Sequence, residues 1–240
     1  MANISFVAAG TAVATATTSL ALVAPTVLVD DILIVQIVSK NNDAVVYPTT
    51  DWTVIRDVAN TAAMQTAIAW KRVVTGDSGA TFTFTVGGTT ISFGILTAYR
   101  GAIPWGSPIG KSTSSVNALA DDVTYATLTP NSNKGAIVAC GSYALSATTA
   151  GAMDGTDPTF VNVVDEETGE GTTASLFQYW GSSSGAATGA RVHSTTSTVD
   201  ALNQGFLFDL MPISESSGGG TGGAKYPRLV RTRSNEEFSR

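Results

Sequence analysis

Between Thr81 and Ile95 the chain reads Thr-Phe-Thr-Phe-Thr-Val, then Gly-Gly, then Thr-Thr-Ile-Ser-Phe-Gly-Ile. Strict alternation puts Phe82, Phe84 and Val86 on one face of a strand and three threonines on the other. Gly87-Gly88 has the composition of a two-residue type I′ turn, in which both positions need positive φ. Together they predict a hairpin that pairs Phe84 with Ile91 and Phe82 with Phe93, both apolar faces on one side. A slip of one residue would oppose apolar to polar side chains.

Further strands follow by the same logic. Ile32 to Val38 is an apolar run broken only by Gln36, the pattern of a strand buried on both faces. Trp52 to Ile55 and Met64 to Val74 read as strands flanking a short polar connection at Arg56-Asp57. Gly135 to Cys140 and Gln204 to Leu210 are short, β-rich and bounded by turn residues. The segment that most suggests a helical turn is Val116 to Asp122. Thr, Val, Ile and aromatic side chains suit a pleated, half-buried surface. Many short strands with Gly, Asn, Asp and Ser between them predict an all-β, jelly-roll-like β-sandwich over residues 1–214.

Composition narrows the function. Charged residues make up 13% of the 240, with 13 Lys and Arg against 19 Asp and Glu, where ordinary soluble proteins carry about 25%. Small hydroxyl and backbone-like residues replace them, including 34 Thr and 24 Gly. Such a body is not a nucleic-acid binder, a coiled coil or a charge-solvated disordered chain. A single His (His193) and a single Cys (Cys140) leave no intrachain disulfide and no Cys/His zinc cluster. No Lys or Arg precedes Lys40, so the basic start of a secretory signal is not expected. The longest apolar stretch, Leu20 to Val29, is interrupted by Pro25 and falls short of the roughly 20 residues a membrane helix needs.

From Glu215 the character changes. Residues 215–223 form a Gly/Ser linker with nothing to bury. Residues 224–240 carry five cations and two anions, so an acidic body is joined through a loose tether to a basic arm. An unstructured terminus has this composition too. The sharper reading is a partner-docking arm, with Lys225, Arg228, Arg231 and Arg233 meeting an acidic neighbour. Tyr226, Leu229 and Val230 would be its apolar anchors. Five cations interrupted by acids release few counterions, which argues against nucleic acid as the partner.

Catalytic chemistry finds little to use. His193 sits in a predicted strand without a Gly-x-Ser-x-Gly elbow, and reads as an ordinary strand histidine. Asp165, Glu166, Glu167 and Glu170 lie within seven residues, just after Asp154 and Asp157. A solvated hairpin tip explains them, with a calcium loop as the alternative, although neither segment matches a calcium-binding pattern. Asp30-Asp31 and Asp121-Asp122 read as turn residues. No catalytic residue, metal or cofactor is expected. Trp105, in a turn-rich loop, and Tyr179-Trp180, before a Ser/Gly run, are candidate aromatic platforms for a glycan or a partner. Trp52 and Trp70, inside strand patterns, read as core.

Several segments now read together: Val29-Asp30-Asp31-Ile32-Leu33-Ile34-Val35, Asp51-Trp52-Thr53-Val54-Ile55, Ala69-Trp70-Lys71-Arg72 and Gly76-Asp77-Ser78-Gly79. With Thr81-Phe82-Thr83-Phe84, Ala98-Tyr99-Arg100-Gly101 and Gly135-Ala136-Ile137-Val138, they resemble a β-sandwich module of tailed-bacteriophage virion structural proteins. The module is also seen in some bacterial surface proteins. Asp30 and Asp51 stand where the pattern has glycine. The resemblance covers roughly residues 1–145 and carries no catalytic residues. It implies a virion component assembled in the host cytoplasm, without nucleic-acid or membrane partners. A capsid decoration or cement protein comes first, bound to the major capsid protein. A tail-fibre or receptor-binding adhesin among tail components is the alternative. It also implies a homo-oligomer, with a trimer as one form.

Overall fold

The computed structural model describes residues 4–40, 44–61, 63–87, 91–120, 122–143, 153–154, 158–167, 175–194 and 201–213. Every named element among them is a β-strand. The first half contains β1 (Ser5–Ala9), β2 (Val13–Thr15), β3 (Ser19–Val23), β4 (Ile32–Ser39), β5 (Val45–Val46), β6 (Thr53–Asn60), β7 (Met64–Arg72), β8 (Thr81–Val86) and β9 (Ser92–Arg100). The second contains β10 (Ile109–Ala120), β11 (Asp122–Tyr125), β12 (Ala136–Tyr143), β13 (Val161–Glu167), β14 (Ser175–Ser182), β15 (Arg191–Ser194) and β16 (Ala201–Leu210).

In the first half a large sheet in the order β1-β9-β4-β7-β6, with β2 also against β9, faces a small sheet β3-β8-β5. In the second, β10-β16-β12-β14-β13 faces β11-β15. Setting aside the short β2 and β5, both halves wind seven antiparallel strands identically. First, seventh, third, fifth and fourth form the large sheet, while second and sixth form the small one. Within the predicted sandwich body the same winding is thus used twice. A full jelly roll divides eight strands equally between its sheets; here β6 joins β7 in the large sheet instead of extending the small one.

Cores lie between all four layers. Leu33, Val35 and Ile37 of β4 meet Leu20, Leu22, Phe82 and Phe84 inside the first sandwich. Ile137, Ala139, Phe177 and Leu207 meet Val123 and Tyr125 inside the second. The two large sheets then pack on each other, with Ile32, Ile34 and Tyr99 against Val138, Cys140, Phe206 and Phe208. β6 lies against β10 and β16, and β9 against β14. Side chains staple this central interface. Gln36 Nε2 donates to Gly141 O at 2.8 Å, Tyr99 Oη to Gln178 Oε1 at 3.0 Å and Gln204 Nε2 to Val58 O at 2.9 Å. Asn60 Nδ2 donates to Asn117 O at 2.6 Å. Each bond closes a polar group that would otherwise be stranded between two dry sheets.

Double coverage explains why β4 is buried along its whole length, as its apolar run predicts. It also overturns the predicted β8–β9 hairpin. Phe82, Phe84 and Val86 do point inward and the three threonines outward. Yet β8 pairs with β3 (Leu22 with Phe82, Leu20 with Phe84) and β5, while β9 pairs with β1, β2 and β4. A strand with a threonine face needs a sheet with one wet side. β9, buried on both sides up to Tyr99, belongs in a covered sheet. The two strands face each other across the core.

Two smaller expectations also change. Val116 to Ala120 continues β10 rather than forming a helical turn, and Asp122 opens β11. Asn117 there donates to Thr124 Oγ1 at 2.9 Å and Asn203 Oδ1 at 2.8 Å, bonds a sheet supplies and a helical turn would break. Arg56-Asp57 lies inside β6, and the chain reverses at Thr61 (φ 58°). An edge strand tolerates both charges: Arg56 Nη2 reaches Ser112 O at 2.5 Å and Asp57 accepts from Gln65 Nε2.

Candidate functional site

His193 lies in β15, as expected, and is fully buried between the sheets of the second sandwich. Its ring meets Phe177 and Tyr179 edge-on, at centroid distances of 4.4 Å and 5.2 Å. Among the described residues neither ring nitrogen has a hydrogen-bond partner. Burial pushes its pKa down to about 4. A catalytic base must reach a nucleophile and an orienting group; this imidazole reaches neither and packs as a core aromatic. Burial likewise pushes the Cys140 thiol up to about 12. Gln178 Nε2 donates to its sulfur at 3.3 Å, so Cys140 acts as a small apolar residue.

The aromatic candidates separate. Trp105 is 65% exposed, as its loop position predicts. Tyr179 is only 1% exposed and belongs to the second core, where burial raises its hydroxyl pKa. Trp180 is half-buried against the central interface. Adjacent residues of a strand point to opposite faces, so Tyr179 and Trp180 cannot form a common platform. Trp52 is core, edge-on to Phe82 and Phe84 at 5.5 Å and 5.3 Å. Trp70 is half-buried against the central interface.

Asp165, Glu166 and Glu167 occupy the end of β13, whereas Glu170 and Asp157 lie outside the described residues. Asp154 Oδ1 accepts the Val192 amide at 2.7 Å. Among the described residues no three acids, thiols or imidazoles converge on a common point. The linker 215–223 and the arm 224–240, with all seven arm candidates, also lie outside the described residues.

Charges that sequence reasoning passed over are built into the fold. Asp31, 2% exposed at its side chain, accepts Arg100 Nε and Nη2 at 2.7 Å each and the Leu28 amide at 2.8 Å. Asp30 alone is the turn residue, at φ 73°. Buried Lys71 lies 3.3 Å from Asp51 Oδ2 and 3.2 Å from Asp77 Oδ2. Buried Asp209 accepts the amides of Lys111 and Asn131. For Asp31 the available signal was its place directly before the apolar run of β4, which is buried along its whole length; Lys71 and Asp209 lie inside strands and carry no such mark. Arg100→Ala removes two hydrogen bonds from the buried Asp31 carboxylate, and because Arg100 itself is nearly half in water the cost in urea unfolding should be about 1–2 kcal/mol. Arg100→Lys, a point charge without the two-pronged fork, should recover part of that loss.

These staples hold one end of the molecule. Asp30 N donates to Val73 O at 3.0 Å and Asp31 N to Leu28 O at 3.1 Å. Arg72 Nη2 donates to Ile103 O at 2.7 Å. Ile103 N donates to Met211 O at 2.9 Å and Ile213 N to Gly101 O at 3.0 Å. Four segments are thereby tied together, and they carry exposed Leu28, Val29, Val74, Trp105 and Ile213. Singly exposed apolar residues are ordinary; these five are carried by segments that bond to one another. Comparison with protein-family models, with curated proteins and with solved structures found no match to this chain.

Proposed function

We propose that this chain is a non-enzymatic structural protein of a tailed-bacteriophage virion that decorates or cements the capsid. The observation that carries the reading is the double sandwich itself. A six-stranded and a five-stranded sheet are locked face to face by apolar packing and by side-chain bonds such as Gln36 to Gly141 and Tyr99 to Gln178. The product is a stiff block whose buried Asp31, Lys71 and Asp209 serve as braces. The resemblance in residues 1–145, the acidic body and the basic arm support the same reading. A cement protein works by burying area across subunits, and an arm of mixed charge and apolar anchors extends that area to a neighbour.

Deleting residues 216–240 should leave the unfolding midpoint unchanged and reduce occupancy on the head, as read by cryo-EM of native particles. Unchanged occupancy would remove the docking arm. A map placing the protein at a few tail positions, instead of across the head lattice, would remove decoration. Exposed Trp105 favours one second reading, a glycan-binding tail adhesin. Glycan-array binding lost in Trp105→Ala would promote it.

A further inference from the structure

The winding repeats between the halves, and so do its irregularities. In the first half Ile32 of the central strand β4 pairs with Arg72 and Tyr99; in the second Ala136 of β12 pairs with Ser182 and Leu210. Matched from those junctions, β6 bulges between Val54 and Arg56, opposite Ala69 and Ile68. β13 bulges at the same place, between Asn162 and Val164, opposite Tyr179 and Gln178. β1 slips register beside the Tyr99 pair and β10 beside the Leu210 pair, again the same place. A need for wet outer and dry inner strands sets the winding but not where a strand bulges, and bulge positions are features that related chains share.

Side chains match in the same frame. Trp70 and Trp180 fall at one position, each half-buried against the central interface. Trp52 and Phe160, each directly before the bulged strand, both pack on the core of their own half. Gly94 and Gly205 lie opposite Ile37 and Gly141, and each passes beneath the second strand of its half. An added Cβ would meet Leu20 Cδ2 at 2.9 Å in the first case and the Thr124 carbonyl oxygen in the other. Just beyond them, Leu96 and Leu207 enter the first and second cores. Contact between the halves is itself reciprocal. β6 lies against β10 and β16, and its counterpart β13 sets Val163 and Val164 against Ala9 of β1 and Phe93 and Ile95 of β9. An interface in which each side offers the same patch to the other is isologous, the form of a two-fold homodimer.

We propose that the two halves are diverged copies of one folding unit and that the large-sheet face is that unit's self-association surface. Its partner is a second copy of the unit, supplied here within the chain through residues 101–108. This inference stands apart from the virion reading. Two separate units hold such an interface only above their dissociation constant, whereas a fused pair holds it at any dilution. Fusion also frees the two sides to diverge. Tyr99 donates to Gln178 across the interface, while the counterpart pair, Leu210 and Ile68, is apolar.

The test uses the full chain with a protease site inserted between Trp105 and Gly106, both exposed, and cut after folding. Native mass spectrometry should show the two fragments as one particle. The urea midpoint of the cut protein should fall with each tenfold dilution, which that of the uncut chain does not. Trp70→Ala and Trp180→Ala, at matched positions, should each raise the fragments' dissociation constant about thirtyfold and agree within about fivefold. Trp70→Phe and Trp180→Phe repeat the comparison if an alanine variant does not fold. Fragments that part or precipitate on cutting, or a midpoint indifferent to dilution, would overturn the association surface. Tryptophan effects further apart than that would overturn its two-fold form.

Discussion

Gly205→Ala should destabilise the protein by about 3 kcal/mol, the upper range for forcing volume into a packed site. Gly205 lies in β16 opposite Gly141 of β12, and β11 crosses directly over this pair. A Cβ on Gly205 would overlap the Thr124 carbonyl oxygen and approach Tyr125 Cδ1 to 2.9 Å; one on Gly141 would overlap the Tyr125 hydroxyl. The obstructing atom at Gly205 is backbone, so relief requires lifting β11 and with it the two-stranded sheet that closes the second sandwich. Urea unfolding should show a lower midpoint with an unchanged slope. Gly76→Ala is the comparison. Gly76 has φ 97° with nothing within 4 Å of its Cβ position, so only backbone strain is added, about 1 kcal/mol. Equal losses at the two positions would mean that β11 is not seated on β16 as described.

Acid should weaken the second sandwich through His193. Its folded pKa, about 4, lies below the ordinary imidazole value of 6.5, so the unfolded chain takes up the proton first. Stability is therefore intact above pH 6.5 and is lost as pH falls from there toward 4. The full difference is about 3 kcal/mol at 1.36 kcal/mol per unit. His193→Leu removes the titrating group from a site where neither nitrogen is hydrogen-bonded. At pH 7 the variant should match or exceed the parent, because no bond is lost with the imidazole. Between pH 7 and 4.5 the parent's urea midpoint should fall more steeply than the variant's, carboxylates common to both cancelling in the difference. Parallel pH profiles would show that the imidazole gains a partner on protonation and that the pocket is wetter than its packing indicates.

Much of the fold was legible residue by residue. The Thr/Phe alternation of β8 gave its inward and outward faces correctly, and the apolar run of β4, broken only by Gln36, announced a strand covered on both sides. Trp105 was readable as exposed from its Pro/Gly-rich loop, and His193 as a strand residue. Tyr179 and Trp180 were not separable in the same way. Both are large aromatics near a Ser/Gly run, and only the orientation of β14 between two covered faces decides which is sealed in. Asp31 was misread as a plain turn residue because its partner, Arg100, is 69 positions away. The place of Asp31 before an apolar strand marks its burial, but nothing local names a partner at that separation.

Alternation and apolar runs record how much water each side chain meets, and that is a local property; strand character and facing therefore followed from the order of residues alone. Partnership between strands is carried by backbone groups that are the same in every residue, so the Gly-Gly turn could not say which neighbour β8 would take. That choice came from the need to place half-wet strands in the outer sheets and dry ones in the inner pair. The same requirement, met once in each half by dissimilar sequences, produced one winding used twice and set two large sheets against each other at the centre.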